Sequence, residues 1–259
     1  MVTLMAFYDR LVVNIKQLYD PSLVEVIDAC ICLRYTYVLT RIERKGYLGL
    51  SHTFVDHLRR RGPSVTLVDP ARLTDYVLSR DPYERQLGIA LLNAYSQYFY
   101  DKTGIIDLSG DVDASDALDI NDRDMVLFIG DIRPLVERVR ERTREVLILE
   151  DDLCRRSDSL PGTYVSLIGN RADIVFITGS ALVNGSLDYV VGMTRRAREK
   201  VLVGPTAQLH PSFLKGTGIT RIAGCYVFDP EKVIGGLKLG YGTRWILRYS
   251  RKFVVDVPG

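Results

Sequence analysis

The sequence predicts an α/β protein in which a doubly wound parallel sheet follows a smaller α+β unit, and three observations carry that expectation. First, the apolar runs Met125–Ile129, Val146–Leu149, Ile174–Ile177 and Val201–Val203 each end at a glycine, a hydroxyl or an acid. Second, stretches of helical character (134–143, 164–171 and 186–198) separate these runs with short connections. Strand–helix alternation of that kind builds a parallel sheet covered on both faces. Third, the first half does not alternate in this way.

Taken in order, apolar spacing over Leu4 to Leu18 predicts a helix stopped at Asp20-Pro21, and Val24 to Thr40 is β-rich. The alternation Ile31, Leu33, Tyr35, Tyr37, Leu39 predicts one strand, and Arg41 to Leu48 around Gly46 predicts a second, antiparallel to it. Gly49-Leu50-Ser51-His52-Thr53 is expected to leave the sheet. Asp69-Pro70 and Asp81-Pro82 each place a capping acid before a first-turn proline. The first starts a short helix over 71–78; the second starts one with Leu87, Ala90, Leu91, Ala94 and Tyr98 along one face. From 101 to 122 the chain turns polar, with Asp107, Asp111, Asp113, Asp116 and Asp119 among small residues. That stretch sets an expected boundary between domains 1–110 and 111–259. A fifth strand at 222–228, a helix from Asp229-Pro230 to Leu239 and a tail at 253–257 complete the second domain.

Composition narrows the function classes. With 47% hydrophobic and 25% charged residues in 259, the chain can bury a sizeable core. Its 34 Lys and Arg against 32 Asp and Glu give +2, no general attraction for nucleic acid or an acidic membrane. The basic stretches Arg59-Arg60-Arg61 and Arg195 to Lys200 read as solvated helix ends. Four scattered cysteines suit a reducing, cytoplasmic compartment better than a secreted disulfide scaffold. Cys30 and Cys32, two apart in one expected strand, read as buried thiols. No apolar run approaches the ~20 residues that cross a bilayer. Self-association into a homo-oligomer is left open.

In a parallel sheet, ligands settle at the carboxyl ends of the strands, where helix N-termini also present free N–H groups. Those ends carry Gly130-Asp131, Glu150-Asp151-Asp152, Thr178-Gly179-Ser180 and Gly204-Pro205-Thr206. Glu150 lies 20 residues after Gly130, the spacing of a ribose-binding acid, yet Gly130-Asp131-Ile132-Arg133-Pro134 is not a G-x-G-x-x-G turn. The same acids, with Cys154 nearby, could gather a divalent cation. Asp111-x-Asp113 lacks the glycine and glutamate of a calcium loop, and no nucleophile elbow, P-loop or Cys-x-x-Cys is present. His52 is the best candidate for acid–base work; His57 and His210 are expected on the surface.

The run Ile177-Thr178-Gly179-Ser180-Ala181-Leu182-Val183-Asn184-Gly185-Ser186, with Val203-Gly204-Pro205-Thr206 and Ile222-Ala223-Gly224, resembles the putative heavy-metal chelation family. Gly49 to Thr53 and Leu87-Gly88-Ile89-Ala90-Leu91-Leu92-Asn93-Ala94 extend the resemblance into the first half. It implies an enolase N-terminal-like domain followed by a Rossmann-like one, with the active site between them. It also implicates Asn93 with Gly130, Glu150, Thr178, Gly179, Ser180, Asn184, Gly204, Pro205, Thr206 and Gly224. The sequence departs from the family where Asp131, Ile132 and Arg133 stand between Gly130 and Pro134.

Three functions follow as expectations. The first is binding of a small metal-chelating or anionic ligand in the interdomain cleft. Backbone N–H groups at Gly179-Ser180 and Gly204-Thr206 and the side chains of Asn93, Thr178 and Asn184 would hold it, with Asp131 and Glu150 for a divalent or heavy-metal cation or a hydroxyl. The second is a transferase or oxidoreductase dependent on NAD or S-adenosylmethionine, with His52 as proton carrier. The third is an oligomer-forming adaptor with a vestigial crevice.

Overall fold

The computed structural model describes residues 6–54, 66–154 and 158–259; His57 and Arg59-Arg60-Arg61 lie outside them. Helix α1 (Phe7–Leu18) buries Phe7, Leu11 and Ile15 on one face. Asp20 accepts from the Ser22 N–H to cap the short 3-10 turn Pro21–Leu23. Strands β1 (Glu25–Ile31), β2 (Tyr35–Ile42) and β3 (Lys45–His52) then form an antiparallel sheet in chain order.

The alternating run from Ile31 to Leu39 is therefore not one strand. The chain reverses at Cys32-Leu33-Arg34, so Cys30 lies at the turn-proximal end of β1 while Cys32 lies in the turn, and the two are joined by a disulfide rather than standing as thiols. The next reversal falls on Glu43 and Arg44, both at positive φ (49° and 72°), inside the stretch from Arg41 to Leu48 expected as one strand. Residues 49–52 also stay in β3. A side chain at Gly49 would put its Cβ 1.8 Å from the Ala90 carbonyl oxygen, so the bare backbone admits a helix directly against the strand.

Helix α2 (Leu73–Leu78) and helix α3 (Pro82–Thr103) begin after the two expected caps, with Asp69 and Asp81 accepting from the N–H groups of Ala71 and Tyr83 at 2.9 and 2.8 Å. Helix α3 ends on Gly104 at φ +62°. Its middle is buried on every side from Gln86 to Tyr98, not along a single stripe. The reason is tertiary: α3 packs on β2, β3 and α2 and also reaches the C-terminal half.

That half holds β4 (Met125–Ile129), β5 (Glu145–Leu149), β6 (Ile174–Thr178), β7 (Glu199–Val203), β8 (Arg221–Val227) and β9 (Ser250–Asp256). They form one sheet in the order β5-β4-β6-β7-β8-β9, parallel except for β9. The parallel part has the flavodoxin-type order 2-1-3-4-5, which reverses between β4 and β6. Around it lie α4 (Arg133–Arg140), α5 (Val165–Ile168), α6 (Ala181–Asn184), α7 (Leu187–Met193), α8 (Pro230–Lys238) and α9 (Thr243–Arg248). Between β7 and β8 the only helical element is a 3-10 turn, Pro211–Leu214.

Side chains alternate across this sheet. Val126, Phe128, Ile174 and Phe176 pack with Leu135, Val136 and Val139 of α4, the two phenylalanine rings stacked at 5.0 Å. Leu127, Val175, Ile177 and Leu202 face the other way and share one core with α1 and α3. The N-terminal elements thus cover a face of the C-terminal sheet. Buried amides close the seam: Gln208 accepts from Leu50 N–H at 2.8 Å and donates to Cys225 carbonyl at 3.1 Å. Gln97 donates to the Leu48 carbonyl and accepts from Val227 N–H. The open edge of β3 is satisfied by side chains instead of a further strand. No helix among the described residues is long and apolar enough to cross a membrane.

Candidate functional site

At the point where the strand order reverses, Gly130 has φ +95° and lies so close to Thr178 that a Cβ would stand 2.6 Å from its Cγ2. The Ser180 hydroxyl donates to Thr178 Oγ1 at 3.2 Å. Glu150 binds backbone with both oxygens, accepting from Asp131 N–H and Asp152 N–H at 2.9 Å each. Asp151 accepts from Gly162 N–H at 2.8 Å, and Asp152 from Cys154 N–H at 2.9 Å. Asp131 pairs with Arg133, which also reaches Asp158 at 2.9 Å. These acids build loops. Among the described residues no group of three or more His, Cys, Asp or Glu is placed to hold a metal ion.

The neighbouring strand ends are filled by the chain itself. Gly179 N–H donates to the Val203 carbonyl at 2.8 Å and Gly204 N–H to the Ala223 carbonyl at 3.0 Å, so neither is left for a ligand. The segment from Pro205 to His210 is buried throughout. Gly224 makes room for it: a Cβ there would lie 2.2 Å from the Ala207 carbonyl oxygen. Gly179 does the same on the other side, its Cβ position being 2.8 Å from Ala207 N. Gly179 and Gly224, two of the glycines expected to admit a ligand, admit this loop instead.

Asn93 is fully buried and joins the two halves, donating to the carbonyls of Leu50 at 2.7 Å and Thr206 at 2.8 Å. Its Oδ1 has no hydrogen-bond partner among the described residues. His210, expected at the surface, is buried: Nδ1 accepts from Ser212 N–H, Nε2 lies 3.2 Å from the Thr103 hydroxyl, and Phe99 and Tyr100 flank the ring. Burial holds its pKa down at about 4. His52, the last residue of β3, lies edge-on to Tyr35 and Phe54.

Next to Phe54 the structure opens. A cavity of about 120 Å³ is lined by Phe54, Ser79, Arg80, Pro82 and Arg85 from the N-terminal half and by Val183 and Asn184 from α6. Asn184 belongs to the expected set, and its Oδ1 accepts from Ser186 N–H at 2.9 Å. Arg85 lies over the Tyr8 ring, 5.5 Å from its centre, and Gly185 at φ +79° clears the space its guanidinium fills. The Tyr8 hydroxyl in turn donates to the Leu182 carbonyl at 2.9 Å, which fixes α1 to α6. The Arg85 Nε is buried without a hydrogen-bond partner among the described residues. Ser79 donates to Glu84 at 2.6 Å.

Sequence reasoning missed Arg80 and Arg85, although a signal was present. Positive side chains at a helix start oppose the macrodipole, which favours anions there. Two arginines flanking Asp81-Pro82 are out of place for stability and well placed for an anion. At 120 Å³ the cavity holds about four waters' worth of liquid volume, at roughly 30 Å³ each. It fits a carboxylate, a phosphate or one end of a larger molecule.

A family model described as putative heavy-metal chelation matches residues 113–256, and a second with the same description matches 21–96. An uncharacterized protein of Methanocaldococcus jannaschii is 30% identical over 238 residues, covering 90% of each chain. A crystal structure of a protein of unknown function from Pyrococcus horikoshii superposes with a TM-score of 0.86 at 28% identity, covering 97% of this chain and all of that one. One from Desulfitobacterium hafniense shares the fold, with a TM-score of 0.77 at 19% identity over 96% and 97% of the two chains.

Proposed function

The chain belongs to the family described as putative heavy-metal chelation, and from that premise we infer that it binds a small anionic or metal-chelating molecule where the halves 1–110 and 111–259 meet. The observation that carries this is the cavity at the start of α3, with Arg80 and Arg85 on one wall and Asn184 on the other. Neither arginine has an ion-pair partner among the described residues. Guanidinium groups match carboxylate and phosphate oxygens in charge and geometry, and the amide of Asn184 adds a donor.

A bare heavy-metal ion does not fit this wall. Soft and borderline cations take thiolate or imidazole ligands, and hard ones take carboxylates. The cavity offers guanidinium, amide and hydroxyl instead. What fits is the negative charge of a chelator, carrying its metal or not. A nucleotide has less support: Gly130 is packed on Thr178, and both oxygens of Glu150 hold backbone N–H groups.

Thermal-shift and calorimetric titration with phosphate, citrate and nickel citrate tests the reading, with nickel chloride as the cation control. Wild type is expected to gain stability with at least one of the three anions and none with the cation alone. Arg80→Gln with Arg85→Gln is expected to lose that gain. Equal responses from wild type and the double variant, or no response to any anion, would sink it.

A further inference from the structure

Beyond that site, the charge of the chain is distributed unevenly. Residues 228–251 carry five Lys and Arg against two acids, while residues 105–122 carry six aspartates and no cation. The two segments expose apolar side chains as well. Leu33 and Leu239 are 59% and 78% exposed, and Leu33 lies against Gly240, so the tips of two loops stand side by side. Beside them Tyr241, also exposed, stacks on Trp245 at 4.9 Å. Arg34, Arg244 and Arg248 surround this patch with no carboxylate partner among the described residues.

The acidic segment is its complement. It crosses the edge strand β9, where Val112 N–H donates to the Lys252 carbonyl and Asp111 accepts from Lys252 N–H. Asp107, Asp111, Asp119 and Asp122 are exposed and without an ion-pair partner among the described residues. Ile105 and Val112 are exposed among them. None of these four acids pairs with the three patch arginines inside one chain.

We propose that the apolar, arginine-rimmed patch around Leu33, Leu239 and Tyr241 docks on the aspartate-rich segment 105–122 of a second copy of this chain. An isologous dimer through the patch would set the arginines of one copy against those of the other, which like charge opposes. A patch-to-segment contact pairs opposite charges and covers leucines that water leaves costly. It is head-to-tail, so each copy retains one unused patch and one unused segment, and growth ends only if the copies close into a ring.

The test is sedimentation velocity from about 10 to 500 µM at low salt, and again at about 0.5 M NaCl, where exposed charges are screened within a few ångströms. Two folded variants, verified by circular dichroism, separate the surfaces: Leu239→Asp with Arg244→Glu for the patch, Asp119→Lys with Asp122→Lys for the segment. Wild type is expected to rise above monomer mass with concentration and to dissociate at least tenfold more readily in high salt. Each variant alone is expected to stay monomeric. Their equimolar mixture should give 1:1 dimers and nothing larger, because only one intact patch and one intact segment remain. A wild type that is monomeric throughout, or a segment variant that associates as wild type does, overturns the proposal. Monomer retained on anionic vesicles or oligo(dT) would assign the patch to lipid or nucleic acid and overturn it equally.

Discussion

The carboxyl edge of the six-stranded sheet and the cavity at the start of α3 both lie where the two halves of the chain meet, and they are built from opposite materials. The first is rich in glycine and hydroxyl groups, yet its Gly130, Gly179 and Gly204 amides are bonded within the chain and the segment 205–210 packs against it. The second has few glycines, open volume and two arginines without an ion-pair partner among the described residues. Glycine at a strand end signals that something comes close; here that something is the protein's own backbone. Cations at the wrong end of a helix carry a different message, since folding does not ask for them.

That contrast can be broken most forcefully at the close contacts. Gly49→Val and Gly224→Val each drive a side chain into a backbone carbonyl, and a loss of about 3 kcal/mol or more, or no soluble protein, is expected in urea unfolding. Asn93→Ala leaves the Leu50 and Thr206 carbonyls buried and unbonded, an expected cost of about 2 to 4 kcal/mol. Citrate or phosphate affinity of the folded Asn93 variant should change less than threefold, whereas an affinity loss as large as that of the arginine variants would merge the two regions into one site. Arg85→Gln reverses the pattern: unfolding within about 1 kcal/mol of wild type, but anion affinity down about tenfold by calorimetry.

A smaller effect than that of the glycines comes from His210. Its folded pKa of about 4 lies below the ordinary 6.5, so between those values the unfolded chain takes up a proton that the folded chain refuses. The stability tied to this neutral ring is present above pH 6.5 and declines as the pH falls toward 4. Between pH 7 and pH 5 the decline is expected to be about 2 kcal/mol. His210→Gln should remove that part of the slope, seen as urea midpoints less sensitive to pH than those of wild type.

The strands and helix starts were legible because their signals are local. Short continuous apolar runs located β4 through β8, and Asp69 and Asp81 announced their helices through cap chemistry. Tertiary features were not. The reversal at Cys32-Leu33-Arg34 has no glycine, proline or asparagine to mark it. Helix α3 is buried all round because the C-terminal sheet covers the stripe that a smaller unit would expose to water. His210 belongs to a loop that looks exposed until the chain is folded over it. Of the candidate site, Asn184 was within reach of sequence. Phe54, Arg80 and Arg85 were not collected with it, since only the fold brings residues a hundred positions apart around one cavity.

The amide seam along β3 has a further implication, for exchange with solvent. An edge strand ordinarily frays, and its outward N–H groups exchange hydrogen through small local openings. Leu50 N–H is held instead by Gln208, whose own amide is bound to the carbonyl of Cys225 in another sheet. To release that one proton the molecule must part its two halves. Leu50 should therefore be among the slowest-exchanging amides, matching the centre of β6, and its rate is a direct gauge of how often the joint that shapes the arginine cavity comes open.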